Sequence, residues 1–232
     1  MKRSSRKTLF ALTVITVIVL LLVITSTSSL ATKLPFLEDG KLYKSRVGDP
    51  TSLSRAEIAS NVWKVLDYDQ EINMLLYITK PKEWGRVDGN LWLLDTTNWT
   101  DKEVATGVIG AQLSPGGDMI VIWNKDHEIW LISADGIPEE KIGIHGAAPI
   151  FSHDGRYIAY EKLPDSSFDG AEQSLFEFAQ GIAIYDLMTG QEMVLTRAEH
   201  GEDFAPVGFS QGMKRIYFNS TRGGIASLWS VN

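Results

Sequence analysis

The chain of 232 residues contains no cysteine. A disulfide framework and a lipid-modified cysteine are both excluded, and the redox character of the surroundings leaves no trace. There are four histidines, His127, His145, His153 and His200, at no metal-ligand spacing. Without cysteine a zinc site would need histidine plus carboxylate, so no metal is expected. No glycine-rich phosphate loop precedes a helix, and no cofactor is expected either. Charge is missing between Lys7 and Lys33, and helical periodicity is missing after Val62.

The uncharged stretch is the first thing present. Residues 1–7 form a basic tail with Lys2, Arg3, Arg6 and Lys7, and residues 8–32 are 25 consecutive uncharged positions. As a helix they span roughly 37 Å, enough for a hydrocarbon core of about 30 Å. The basic flank predicts a single-pass transmembrane signal anchor in the cell membrane, with a cytoplasmic N-terminus and the remainder outside. The alternative is a signal peptide cut near Ala31, after Ser29-Leu30-Ala31, which secretes the same domain. Removing the four basic residues of the tail leaves 18 Lys and Arg against 29 Asp and Glu, so residues 33–232 carry about −11. An acidic domain repels nucleic-acid phosphates, and no nucleic-acid partner is expected.

Residues 33–61 read as a tether and lead-in, in which Ser54-Arg55-Ala56-Glu57 fits a capping box for a short helix. From Val62 the pattern is one of short strands, and it repeats. Ser114, Ile120 and Ile122 match Ser152, Ile158 and Tyr160, then Ser210, Ile216 and Phe218, with Asp69, Leu75 and Tyr77 as a looser copy. Each serine opens a tight turn between two apolar runs. A third run follows with an aromatic in a fixed slot, Trp92, Trp130, Tyr185 and Trp229, and then a polar-flanked fourth run. Units of 45, 38 and 58 residues built from four strands, with middle strands apolar on both faces, predict β-propeller blades that need neighbours to be stable.

The run from Pro149 to Tyr160, with Ser152-His153-Asp154-Gly155-Arg156 at its centre, resembles the repeat of the TolB-like, WD-repeat-like propeller family. Leu113-Ser114-Pro115-Gly116-Gly117-Asp118 and Phe209-Ser210-Gln211-Gly212 are degraded copies, and Ser220-Thr221-Arg222-Gly223-Gly224 is similar to the family's Ser-Asp-Arg-Asp-Gly loop. The expected architecture is therefore all-β: blades at 62–107, 108–146, 147–205 and 206–232, the last lacking a fourth strand, preceded by an N-terminal transmembrane helix. Relatives close with six or more blades. Here Lys41 to Arg46 is a candidate to supply the missing outer strand; otherwise an open edge awaits another copy or another protein.

Gly208-Phe209-Ser210-Gln211-Gly212 matches the nucleophile elbow of α/β-hydrolases, yet no histidine follows Ser210, and a strand stands where the elbow needs a helix. No catalytic residue is assigned. Asp88, Asp126 and Glu202 would form a cation site if folding brought them to one rim. The third unit carries an insertion at 163–180 that presents Leu175, Phe176 and Phe178 in a polar context, the candidate binding residues. Function follows as a non-catalytic, membrane-tethered extracytoplasmic scaffold for a protein or peptide, with a homo-oligomer through the open edge as one arrangement. The alternatives are a substrate-gating propeller for a prolyl-oligopeptidase-like peptidase whose catalytic domain lies elsewhere, or a fragment of a larger propeller.

Overall fold

The computed structural model describes residues 33–46, 56–80, 87–163, 181–197 and 203–232. The apolar run at 8–32, Glu202 and the insertion residues Leu175, Phe176 and Phe178 lie outside them. The chain divides into two compact units, residues 1–34 with 44–55 and residues 35–43 with 56–232. Of the first unit, the described residues are the ends of two strands. Among the described residues there is no helix long and apolar enough to cross a membrane.

Everything described is strand and turn. The first sheet has β1 (Lys33–Glu38), β2 (Lys41–Arg46) and β3 (Ala56–Ala59) in that order. Next come β4 (Val62–Asp69), β5 (Met74–Thr79), β6 (Gly89–Asp95), β7 (Thr100–Leu113), β8 (Met119–Asn124), β9 (Glu128–Ser133) and β10 (Pro138–Ile144), seven antiparallel strands in chain order. A four-stranded sheet follows, β11 (Gly146–Phe151), β12 (Tyr157–Lys162), β13 (Gly181–Asp186) and β14 (Gln191–Val194), and then a three-stranded one, β15 (Asp203–Phe209), β16 (Ile216–Ser220) and β17 (Ser227–Val231).

The seven-stranded sheet is two blades sharing one strand. The first part of β7 pairs with β6 as an outer strand, and its last part pairs with β8 as an inner strand. The bend falls at Gly107, whose φ of 70° suits a residue without a Cβ. The predicted boundary between 107 and 108 thus lies inside a continuous strand.

The serines occupy equivalent corners. The amide of Ser114 donates to the Met119 carbonyl at 2.9 Å, that of Ser152 to Tyr157 at 2.8 Å and that of Ser210 to Arg215 at 2.9 Å. Each Oγ accepts the amide of the same partner, at 3.1, 2.8 and 3.1 Å. The turn's left-handed position is Gly117, Gly155 and, in the weakest copy, Met213 at φ 57°. Behind these corners the middle strands are buried on both faces: Leu75, Leu76, Tyr77 and Ile78 are at most 2 % exposed, and Ile158, Ala159 and Tyr160 are fully buried. Each large apolar side chain so buried contributes about 1.5–3 kcal/mol.

Three expectations need correction. Lys41–Arg46 does not complete the last blade; it pairs with β1 and β3. Its contacts make it the third strand of a further blade ahead of the first. Val62 N donates to Gly40 O at 2.8 Å just as Gly146 N donates to His127 O at 2.9 Å, one residue before the third strand in each case. Leu42 accordingly packs on Leu75 and Tyr77 as Ile129 packs on Ile158 and Tyr160. The capping-box helix is absent from the part that is described: Ala56 and Glu57 belong to β3, and Glu57 pairs with Lys41 at 3.0 Å. Finally, Trp92, Trp130 and Trp229 share one slot, opposite Tyr77, Ile122 and Phe218, but Tyr185 stands two residues along, opposite Ile158. The equivalent position is Ala183, which lies opposite Tyr160.

The last sheet has an altered outward face. Its positions Tyr217, Asn219, Leu228 and Ser230 correspond by register to Leu76, Ile78, Leu91 and Leu93 in the first blade. Leu91, Ile129 and Ile182 are fully buried against a following sheet, whereas Leu228 is 61 % exposed.

Candidate functional site

The inner strands of four successive blades converge at their C-terminal ends, where β4, β7, β11 and β15 run into the turns that begin with Asp69, Ser114, Ser152 and Ser210. A cleft of about 490 Å³ opens there, lined by residues 67–71, 112–115, 150–153 and 207–209. No motif marks it in the sequence, because each sheet contributes a few residues from a different repeat.

Side chains tie its walls together from blade to blade. Asp67 Oδ2 accepts the Leu113 amide at 2.9 Å, and Gln112 Oε1 accepts the Phe151 amide at 2.6 Å. These two residues hold the same position, two before the corner, in successive blades. In the third blade that position is Ile150, which has no polar atom to offer, and the next link is made instead by His153 Nε2 to the Phe209 carbonyl at 3.2 Å. Burial pushes the Asp67 carboxyl above its ordinary range, against the lowering effect of the Leu113 amide. Asp69 Oδ1 accepts the amides of Glu71 and Ile72 at 2.8 and 3.2 Å and so replaces the serine of the other corners. Glu71 and Gln70 are exposed, as is Val207 across the cleft. One side of the cleft is thus carboxylate-rich, and the other is built from Ile150, Val207 and Phe209.

The corner serines are engaged as turn staples. Ser114 Oγ donates to Asp118 at 2.9 Å and Ser152 Oγ to Asp154 at 2.6 Å. Ser210, the centre of the elbow-like motif, accepts the Arg215 amide and leads into β16, a strand. Asp154 is held below the usual carboxylate range by Ser152 and the Arg156 amide. Arg156 reaches past the turn to Asp186 with two bonds, Nε to Oδ1 at 3.1 Å and Nη2 to Oδ2 at 2.6 Å, which fasten the corner to the third strand.

Other groups are placed as follows. Asp88 and Asp126 come to a second cleft, beside Trp130 between the first and second blades, while Glu202 lies outside the described residues. Among the described residues no group of three His, Asp or Glu is arranged to hold a metal. His127 and His145, eighteen residues apart, meet at the junction of the second and third blades. Burial lowers the His127 pKa, and the neighbouring His145 lowers it further. Each stands just before a strand start with a φ of 59°, and no sequence motif marks the encounter.

No family model matches the chain, and no curated protein matches it. Solved structures do. The tricorn protease superposes with a TM-score of 0.59 and 18 % identity over 85 % of this chain and 19 % of that one. The putative TolB of Agrobacterium tumefaciens gives 0.52 and 22 % over 76 % of this chain and 61 % of that one. A prolyl endopeptidase gives 0.52 and 14 % over 74 % and 28 %. The fold is that of a β-propeller. The chain spans less than two thirds of the length of each of these proteins.

Proposed function

We propose that the chain is a non-catalytic, TolB-like propeller that binds a protein or peptide segment, tethered to a membrane by residues 8–32 with its blades on the outer side. The observation that carries the reading is the cleft across the four inner strands, whose walls are fixed by the Asp67 and Gln112 bridges. A rigid wall with carboxylates facing an apolar side suits an extended segment that carries a basic residue beside an apolar one. In this reading the serines and His153 have structural duties, bonding the backbone of their own turns or of the next strand, and none is paired as nucleophile with base. The insertion residues Leu175, Phe176 and Phe178 form a second contact surface.

The test is to incubate the full chain with a random peptide pool and identify what is retained by mass spectrometry. Retained peptides are expected intact and enriched in Lys and Arg, with enrichment falling about tenfold, equivalent to about 1.4 kcal/mol, on Glu71→Lys. A Phe176→Ala, Phe178→Ala pair is expected to weaken capture at unchanged stability. Cleaved peptides, or equal retention by the Glu71 variant, would overturn the proposal.

A second reading is a substrate-gating propeller for a peptidase on another chain. The likeness to the tricorn protease and a prolyl endopeptidase speaks for it. The same pool, supplied with a candidate peptidase, separates the two readings by whether cleavage depends on this chain.

A further inference from the structure

The second cleft, between the first and second blades, measures about 490 Å³ and has Val104, Ile122, Trp130 and Ile132 among its walls. The junction of the second and third blades shows what such a space holds when it is filled. By register, the pair Ile122 and Trp130 in the second blade matches Tyr160 and Ala183 in the third, one ring in each. At the neighbouring pair the second blade has Ile120 and Ile132 where the third has Ile158 and Tyr185, so it is one ring short. The Tyr185 hydroxyl donates to Glu140 at 2.9 Å and so crosses to the outer strand of the preceding blade. Ile132 has no such reach. Lys102, which stands where Glu140 does one blade on, bonds Asp135 in the turn beyond Ile132 at 2.7 Å. The first and second blades are thus tied past Ile132, with the cleft left open beside it.

The walls are fixed and their charge has a sign. Trp130 Nε1 donates to Glu128 at 3.1 Å, and Lys141, itself bound to Glu128 at 2.7 Å, lies 5.2 Å from the ring centroid. Where β6 begins and β8 ends, Gly89 pairs with Val108 and Val108 with Asn124, which brings Asp88 to the same end of the cleft as Lys125 and Asp126. Lys125 is bound to Asp126 at 2.7 Å, so the charged lining is two carboxylates against one ammonium. Asp88 is buried, and a carboxylate away from water exerts a stronger field on whatever enters beside it.

We propose that this cleft binds a small organic cation built on an aromatic ring, an arylalkylamine, with the ring beside Ile132 and the ammonium toward Asp88. The ring takes the kind of space that Tyr185 fills at the next junction. The volume lies in the ordinary range for small-molecule sites and suits one or two rings with a short side chain. Charge decides the sign of the ligand: the lining carries a net negative charge, and the surrounding domain, at about −11 for residues 33–232, attracts cations and repels anions. The cleft is separate from the one across the inner strands and does not depend on what binds there.

The test is equilibrium dialysis of the full chain in phosphatidylcholine nanodiscs, with empty discs as the blank, against tryptamine and against indole-3-propionate, which carries the same ring with the opposite charge. Tryptamine is expected to bind saturably at one site and at least tenfold more tightly than the anion. Ile132→Phe supplies a ring from the protein and is expected to weaken tryptamine binding at least tenfold with the thermal melt unchanged. Thr106→Lys, on the exposed rim of the same cleft, sets a cation at its mouth without touching the core and is expected to weaken binding at least threefold. Glu71→Lys, in the inner-strand cleft, is expected to leave tryptamine binding as it was. Absence of saturable binding, equal affinity for the anion, binding indifferent to both Ile132→Phe and Thr106→Lys, or binding lost on Glu71→Lys would overturn the proposal.

Discussion

The hydroxyl of Tyr160 donates to a carboxylate oxygen of Glu192 across the third blade, and Tyr77 reaches Asp101 in the same way across the first. Burial is the main cause that raises the pKa of both phenols, and the carboxylate acceptors raise it further. In these two blades a buried ring with its polar tip on the outer strand closes the sheet from the middle. Tyr160→Phe is expected to cost about 1 kcal/mol, because Glu192 keeps Lys162 at 3.1 Å and is left partly solvated. Tyr160→Ala is expected to cost about 3–5 kcal/mol through the cavity it leaves. Urea unfolding of the two variants, read against the parent chain, checks the ratio.

The last blade is anchored differently. Asp203 is fully buried and accepts Ser220 Oγ at 2.8 Å together with Arg222 Nε at 2.9 Å and Nη2 at 2.5 Å, while Nη2 also reaches the Arg197 carbonyl at 2.6 Å. Arg222→Ala leaves a buried carboxylate with one hydroxyl, and a loss of about 1.5–3 kcal/mol is expected. Arg222→Lys restores the charge without the planar fork and is expected to recover part of the loss. Thermal melts of both variants distinguish charge from geometry.

Acid sensitivity has a named source. Lys141 first, at 2.7 Å, and then Trp130 Nε1, at 3.1 Å, lower the Glu128 carboxyl from its ordinary 4.5 to about 2. A depressed acid contributes stability that is fully present above its unfolded pKa and is lost as pH falls through the folded one. Stability is therefore expected to drop between about pH 4.5 and 2, and Glu128→Gln to flatten that part of the curve. Unfolding midpoints measured across this range for both chains check it.

The opposite sign applies at Glu161, which is 3 % exposed and whose Oε2 accepts the Ala205 amide at 3.1 Å. Burial raises its pKa. Its favourable contribution is present below the unfolded value and fades as pH rises through the folded one, so Glu161→Gln is expected to gain relative stability toward neutral pH. Parallel melts at pH 4 and 7 show whether the difference between the chains grows with pH.

The blades were legible in the sequence because their signature sits in the corner between first and second strands, where Ser114, Ser152 and Ser210 must supply one amide and one hydroxyl to a tight turn. The sheet of β1, β2 and β3 was not legible for the same reason: no such corner lies within its described residues, and without one its strands look like an irregular lead-in. Tyr185 misled because an aromatic two residues along still falls on the same face of a strand. The cleft was invisible because Asp67, Gln112 and His153 come together through the stacking of sheets, which no single repeat encodes. The insertion with Leu175, Phe176 and Phe178 lies outside the described residues, and the account of the site rests on the inner strands.

The account stands on the serine corners being successive copies of one position, and the lack of cysteine makes that measurable. Pro115, His153 and Gln211 each follow a corner serine and are exposed. Replaced pairwise by spin-labelled cysteine in the full chain, they should give matching distances for 115 to 153 and 153 to 211 and a longer one for 115 to 211. Clearly unequal neighbouring distances, or a 115 to 211 separation no longer than the other two, would contradict the account.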